Sequence, residues 1–136
     1  MLLSRNQRIA AEAYKQVVKR TQSKDPKKYG ALVHKLPAMI MQNGLTQTTG
    51  FLMAKNETEH QEALEDLSAV LKSIKAIPEE KKLHTQLLEM DLLKTMEITR
   101  HALTVSAWMR RYVQGILKID ATGESIDGAE KEESVA

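Results

Sequence analysis

The chain of 136 residues has no cysteine. That excludes a disulfide framework, thiol catalysis and cysteine-ligated zinc or iron–sulfur sites. Aromatic residues are scarce, with one tryptophan, one phenylalanine and three tyrosines. Base-stacking platforms of the RRM or OB type, which need exposed aromatics on strands, are therefore not expected. No apolar run approaches the ~20 residues that span a bilayer. Met1-Leu2-Leu3-Ser4-Arg5 lacks a secretory apolar region, so a cytoplasmic location is the expectation. His-Glu-x-x-His, Gly-x-Ser-x-Gly and Walker-type Gly-Lys-Ser/Thr motifs are all missing, and with them the usual signatures of zinc proteases, serine hydrolases and nucleotide phosphate loops.

What the chain does have is charge, unevenly placed. Its net charge is +2, from 20 Lys+Arg and 18 Asp+Glu. Residues 1–56 carry 10 basic and 2 acidic side chains, whereas residues 57–98 carry 5 and 10. Residues 99–119 hold four basic and no acidic groups, and residues 120–136 hold one basic and six acidic. A near-neutral total thus conceals a basic folded body and an acidic end.

Apolar residues recur at helical spacing almost throughout. In residues 4–22, Ile9, Ala10, Ala13, Tyr14 and Val17 share one face. A second helix carries Leu32, Val33, Leu36, Met39 and Ile40 and stops at Asn43-Gly44. Pro37 is expected to kink that helix or start a new one. Residues 45–55 form a shorter, less regular helix with Phe51, Leu52 and Met53. Asn56 and Glu59 have capping-box spacing ahead of Leu64, Leu67, Val70, Leu71 and Ile74. Pro78-Glu79-Glu80 reads as the first turn of another helix, bearing Leu83, Leu87 and Leu88. The last helix, about 94–119, buries Ala102, Val105, Met109, Tyr112, Val113 and Ile116. The expectation is an all-α, single-domain bundle of five to six helices over residues 1–120. Residues 121–136, rich in Gly, Ser and Glu, are expected to be a disordered acidic tail, of which Glu124 through Ala136 shields a basic face when no RNA is bound.

Chemistry-bearing clusters are few. His34, His60, His84 and His101 are the only candidate bases or imidazole ligands. Glu57-Thr58-Glu59-His60 has the Glu-x-x-His spacing of di-iron bundles, but those sites need a second copy and two further glutamates. Capping explains the segment better, and no metal or other cofactor is expected. Glu89 and Asp91 are neighbours in sequence only and point to different helix faces, so no acid–base pair is formed. No catalytic residue is assigned.

The cations are more telling. Arg5, Arg8, Lys15 and Lys19 fall on one face of the first helix, and Arg100, Arg111 and Lys118 on one face of the last. A solvated helix face usually mixes signs. These are nearly one-signed, and Lys24, Lys27, Lys28, Lys35 and Lys55 extend the excess. Such a surface suits a polyanion, bound through its backbone without regard to sequence.

Two segments carry a family resemblance. Leu36-Pro37-Ala38-Met39-Ile40-Met41-Gln42-Asn43-Gly44-Leu45-Thr46-Gln47 and Thr99-x-x-Ala102-Leu103 with Trp108-Met109-Arg110-Arg111-Tyr112 resemble the small subunit of the Cmr-type (type III-B) CRISPR effector complex. The resemblance covers about residues 5–118 and departs at Met96 and His101. It implies a non-catalytic helical protein that stacks in several copies beside a guide RNA–target RNA duplex, with the other Cmr subunits as partners and with neither membrane nor small-molecule substrate. Guide pairing would supply sequence specificity, and protein would supply shape and charge, as in other RNA-guided effectors. The candidate RNA contacts, read from the basic residues of this chain, are Arg5, Arg8, Lys15, Lys19, Lys28, Lys35, Lys55, Arg100, Arg110, Arg111 and Lys118. The competing readings are a purely structural adaptor between subunits and, more weakly, a helical DNA-binding regulator.

Overall fold

A computed structural model describes residues 2–126. They form six α-helices: α1 (Arg5–Lys19), α2 (Pro26–Asn43), α3 (Leu45–Lys55), α4 (Thr58–Ser73), α5 (Leu83–Glu89) and α6 (Leu92–Tyr112). A 3-10 turn at Arg20–Gln22 follows α1, and a π-helical turn at Val113–Leu117 follows α6. Among the described residues the only β pairing is an isolated bridge between Ile119 and Ser125, in keeping with the all-α expectation. No helix among them is long and apolar enough to cross a membrane.

α1 and α2 both pack on α4 and α6, and α3 closes against α2, α4 and α5. The buried centre is built by Ile9 and Val17 of α1, Leu36 and Ile40 of α2, Leu67 and Leu71 of α4, and Ile98 and Met109 of α6, all essentially inaccessible. Close packing of this kind makes each side chain's shape count.

Local signals explain most boundaries. Ser4 caps α1 by accepting from the Gln7 amide at 3.1 Å while the Gln7 side chain accepts from the Ser4 amide at 2.8 Å. Asp25 caps α2, with Pro26 at its first turn, and Asp91 caps α6. Gly44, at φ +84°, separates α2 from α3.

Several boundaries differ from expectation. α2 continues through Pro37 as one helix, so of the two alternatives, a kink or a new helix, the new helix is not found. Burial of Leu32, Val33, Leu36 and Ile40 on both sides of the proline offsets the backbone hydrogen bond it removes. The Asn56–Glu59 capping box is not formed. Asn56 instead ends α3 in the left-handed region, Glu57 precedes α4, and the Asn56 side chain accepts from Gln61 Nε2 at 2.7 Å. Pro78-Glu79-Glu80 lies in a turn region, and the helix begins only at Leu83. Tyr14, placed on the buried face by spacing, is 51% exposed, and Leu88 is 65% exposed.

After the π turn, Ile119 enters the core while its carbonyl lies 2.9 Å from His34 Nε2. The amide of Ile126 donates to the Lys118 carbonyl at 2.7 Å, and Asp120 Oδ1 accepts from the Thr122 and Glu124 amides. Residues 121–126, the start of the expected tail, therefore fold back on the body. Residues 127–136, with the rest of that acidic segment, lie outside the described residues.

Candidate nucleic-acid interface

All of the cations singled out by sequence are exposed: Arg5, Arg8, Lys15, Lys19, Lys28, Lys35, Lys55, Arg100, Arg110, Arg111 and Lys118. Of these cations only Lys15 has a carboxylate at salt-bridge distance among the described residues, Glu12 at 3.6 Å. The others have no carboxylate at that distance among the described residues.

They do not form one continuous patch. Lys19 lines a hollow together with Leu64, Glu65 and Ser68 of α4, whereas Tyr14, on the other flank of α1, reaches Tyr112 of α6. Lys19, at the end of the α1 stripe, is thus on the α4 side of that helix. Arg100, Arg110 and Arg111 stand on α6, across a seam filled by Tyr14, Tyr112, Trp108 and Asn6. Arg5 approaches this second group at the start of α1, since its charge and that of Arg100 both act on His101. Lys118 does not continue the Arg100–Arg111 face. The α-helical register ends at Tyr112, the π turn changes the rotation per residue, and Lys118 sits beyond it at φ +58°. Lys28 belongs to a separate hollow that also contains Asp25, Glu57 and Glu59.

His101 reports the field around the Arg5–Arg100 group. Burial lowers its pKa below the ordinary 6.5, and Arg5, Arg100 and Lys94 lower it further, against Glu97. A histidine depressed in the folded state favours the neutral form. Its contribution to stability is therefore complete above about pH 6.5 and is lost as the pH falls below that value. An NMR titration of the His101 ring should give a midpoint below 6.5, and Arg5→Gln should move it upward.

One arginine that looks equivalent in sequence has a different role. Arg20, in the turn after α1, is only 13% exposed at its side chain and lies 2.6 Å from Asp66 and 3.2 Å from Glu62 of α4. Tyr29 of α2, wholly buried, donates to the same Asp66 carboxylate at 2.5 Å. Ser23 Oγ donates to Glu62 at 2.7 Å. Burial pushes the Asp66 carboxyl above its ordinary range, although the hydrogen bonds from Arg20 and Tyr29 pull the other way. Burial also raises the Tyr29 phenol, aided by Asp66. This network joins three helices and is structural.

The candidate metal segment is present in part. Ligand atoms of Glu57, Glu59 and His60 lie within 4.8 Å of one another. They come from a single turn at the start of α4, and the second Glu-x-x-His of a di-iron site is absent from the sequence.

The aromatic seam is a feature that sequence reasoning missed. Trp108 and Tyr112 stack with ring centroids 5.6 Å apart, and Tyr14 meets Tyr112 edge-on at 5.5 Å. The signal in the sequence is the four-residue Trp108–Tyr112 spacing, which puts both rings on one helix face. The apolar neighbours of Tyr14 and Tyr112 at helical spacing point to burial instead.

Comparison with known proteins agrees with this architecture. The family described as CRISPR-associated protein (Cas_Cmr5) matches residues 5–116. A relative from Thermus thermophilus named CRISPR system Cmr subunit Cmr5 is 26% identical over 117 residues, covering 85% of this chain and 97% of the relative. The X-ray crystal structure of a CRISPR-associated Cmr5 family protein, also from Thermus thermophilus, superposes with a TM-score of 0.75 at 25% identity, covering 85% of this chain and 99% of that one. Within the Leu36–Gln47 segment, Leu36, Ile40 and Leu45 are buried and pack in the core, whereas Met41, Gln42, Asn43 and Gln47 are exposed. With a family match across most of its folded body, the chain belongs to the Cmr5 family, the small subunit of Cmr-type CRISPR systems.

Proposed function

We propose that the chain acts as a non-catalytic, cytoplasmic small subunit of a type III-B CRISPR ribonucleoprotein, holding target RNA by sequence-independent contacts to its backbone. The observation that carries this reading is the set of exposed cations on α1 and α6 that lack carboxylate partners among the described residues. Uncompensated lysines and arginines neutralise phosphates and release their counterions. Several copies would stack along the guide–target duplex beside the other Cmr subunits. Cleavage would belong to those neighbours, in line with the absence of nucleophile and phosphate-loop motifs from this sequence.

Charge reversal in the assembled complex tests the proposal. Replacing Arg5, Arg8, Lys15 and Lys19 with Glu should weaken target-RNA retention and lower the salt slope by about one for each phosphate no longer neutralised, while assembly persists. Filter binding across a salt series reads both quantities. Unchanged retention together with failed assembly would favour the structural adaptor instead. The same reversal at Arg100, Arg110 and Arg111 would show whether the α6 face also meets RNA.

A further inference from the structure

The α1–α6 seam and the adjoining face of α6 combine features that backbone binding alone does not use. Trp108 and Tyr112 stack with planes 26° apart. Trp108 Nε1 donates to Asn6 Oδ1 at 3.0 Å, which holds the indole in place. The Arg111 guanidinium lies 5.6 Å from the Trp108 ring centroid, a cation–π distance. Beside this stack are two adjoining hollows of about 490 and 420 Å³ that share Ala107 and Arg111. The first also has Asn6, Thr104 and Trp108 in its wall, and the second has Arg110 and Gln114.

Among the described residues no carboxylate lines either hollow, whereas each of the other three hollows includes Asp or Glu. The combination is an indole–phenol stack, two guanidinium groups without acidic partners among the described residues, and amide and hydroxyl groups at the rim. An apolar protein segment would bury the guanidinium groups without compensation, at a cost in desolvation. An acidic peptide would match the charge and leave the flat aromatic surface unused. A nucleotide supplies both a planar base and an anionic phosphate.

We propose that this face of α6 takes up an unpaired nucleotide of single-stranded RNA, with the base against the Trp108–Tyr112 stack and the phosphate on Arg110 and Arg111. The proposal rests on the RNA-binding reading and adds to it a site that distinguishes single strands from duplex. Bases stacked on aromatic side chains bind without strong sequence preference, so backbone binding and stacking are compatible in one protein.

Trp108 is the only tryptophan, so its emission reports on its own site. The full chain is titrated at low salt with a short oligouridylate and, separately, with duplex RNA of equal length. Tryptophan emission is followed alongside the anisotropy of end-labelled RNA. The expected result is saturable quenching by the single strand and none by the duplex. Trp108→Leu should weaken single-strand binding about tenfold and leave duplex binding unchanged. Arg111→Gln, which retains the reporter, should also weaken single-strand binding and its quenching. RNA binding by anisotropy without quenching, or with Trp108→Leu indistinguishable from the parent, overturns the stacking site and leaves the backbone reading standing. Failure of both RNAs to bind overturns both. An emission change that grows with protein concentration in the absence of RNA would identify the face as a contact between copies and overturn the proposal.

Discussion

Replacing Asp66 with alanine should lower folding stability by about 3–5 kcal/mol, the range for removing one partner of a buried ion pair. Asp66 is fully buried, and its carboxylate is held by both Arg20 and Tyr29. Without it the Tyr29 hydroxyl loses its acceptor, and an unsatisfied buried polar group costs about 1–3 kcal/mol on its own. Arg20 would keep Glu62 at 3.2 Å and the more distant Glu65 at 3.9 Å, so part of its charge remains compensated. Thermal unfolding followed by circular dichroism should show the midpoint falling by roughly 10 °C or more. Tyr29→Phe should cost about 1–3 kcal/mol, because it removes the donor and leaves Arg20 in place. The double variant Arg20→Met with Asp66→Leu separates net stability from partner loss. Apolar replacement of a whole buried pair is often close to neutral, so in a Tyr29→Phe background, where no hydroxyl is left without its acceptor, the double variant should recover much of what Asp66→Ala loses. A double variant as unstable as the single one would show that the network's charges contribute net stability.

Gly30→Val should cost about 3 kcal/mol, at the upper end of the range for overpacking a filled site. A Cβ at Gly30 would lie 2.7 Å from Ile119 Cγ2 and 3.0 Å from Ile119 Cβ, inside any normal contact distance. α2 cannot yield easily, because it is packed against both α4 and α6. The segment after the π turn must move instead. That movement would expose Ile119, worth about 1.5–3 kcal/mol when buried, and break the contact between His34 Nε2 and the Ile119 carbonyl. Gly30→Ala should be milder, since alanine's better helix propensity returns up to about 1 kcal/mol. Ile119→Ala in the Gly30→Val background should restore part of the loss by making room. Urea denaturation midpoints across this set measure the effects. Protection of the Ile126 amide from hydrogen exchange, which depends on its bond to Lys118, reports whether the 118–126 turn is what moves.

The glycine also shows how far sequence reasoning reaches. Gly44 is legible as a helix stop because its role is local, a positive φ between two helices. Gly30 gives no such sign, because the atom that requires its missing side chain belongs to Ile119, far along the chain. The same holds for the cations. Arg20 and Lys19 are adjacent, yet Lys19 faces solvent and Arg20 is held by Asp66. A local pattern cannot tell them apart, since the partners that neutralise Arg20 come from α4. The aromatic residues behave likewise. Tyr14 and Tyr29 are both flanked by apolar neighbours, and only the packing of α1 against α6 leaves Tyr14 half exposed while Tyr29 is sealed beneath Arg20 and Asp66.

Sequence by itself determined the helical class, most of the helix faces, the uneven charge and the family, since these depend on residues three and four apart or on short contiguous motifs. Tertiary structure alone decided which charges remain free. It also left the Trp108–Tyr112 stack partly buried against the core with Arg111 beside it, and turned residues 118–126 back onto α2. The physical reason is common to all three. Whether a side chain is solvated, paired or buried depends on what distant segments bring within a few ångströms of it, and helical periodicity contains no information about that.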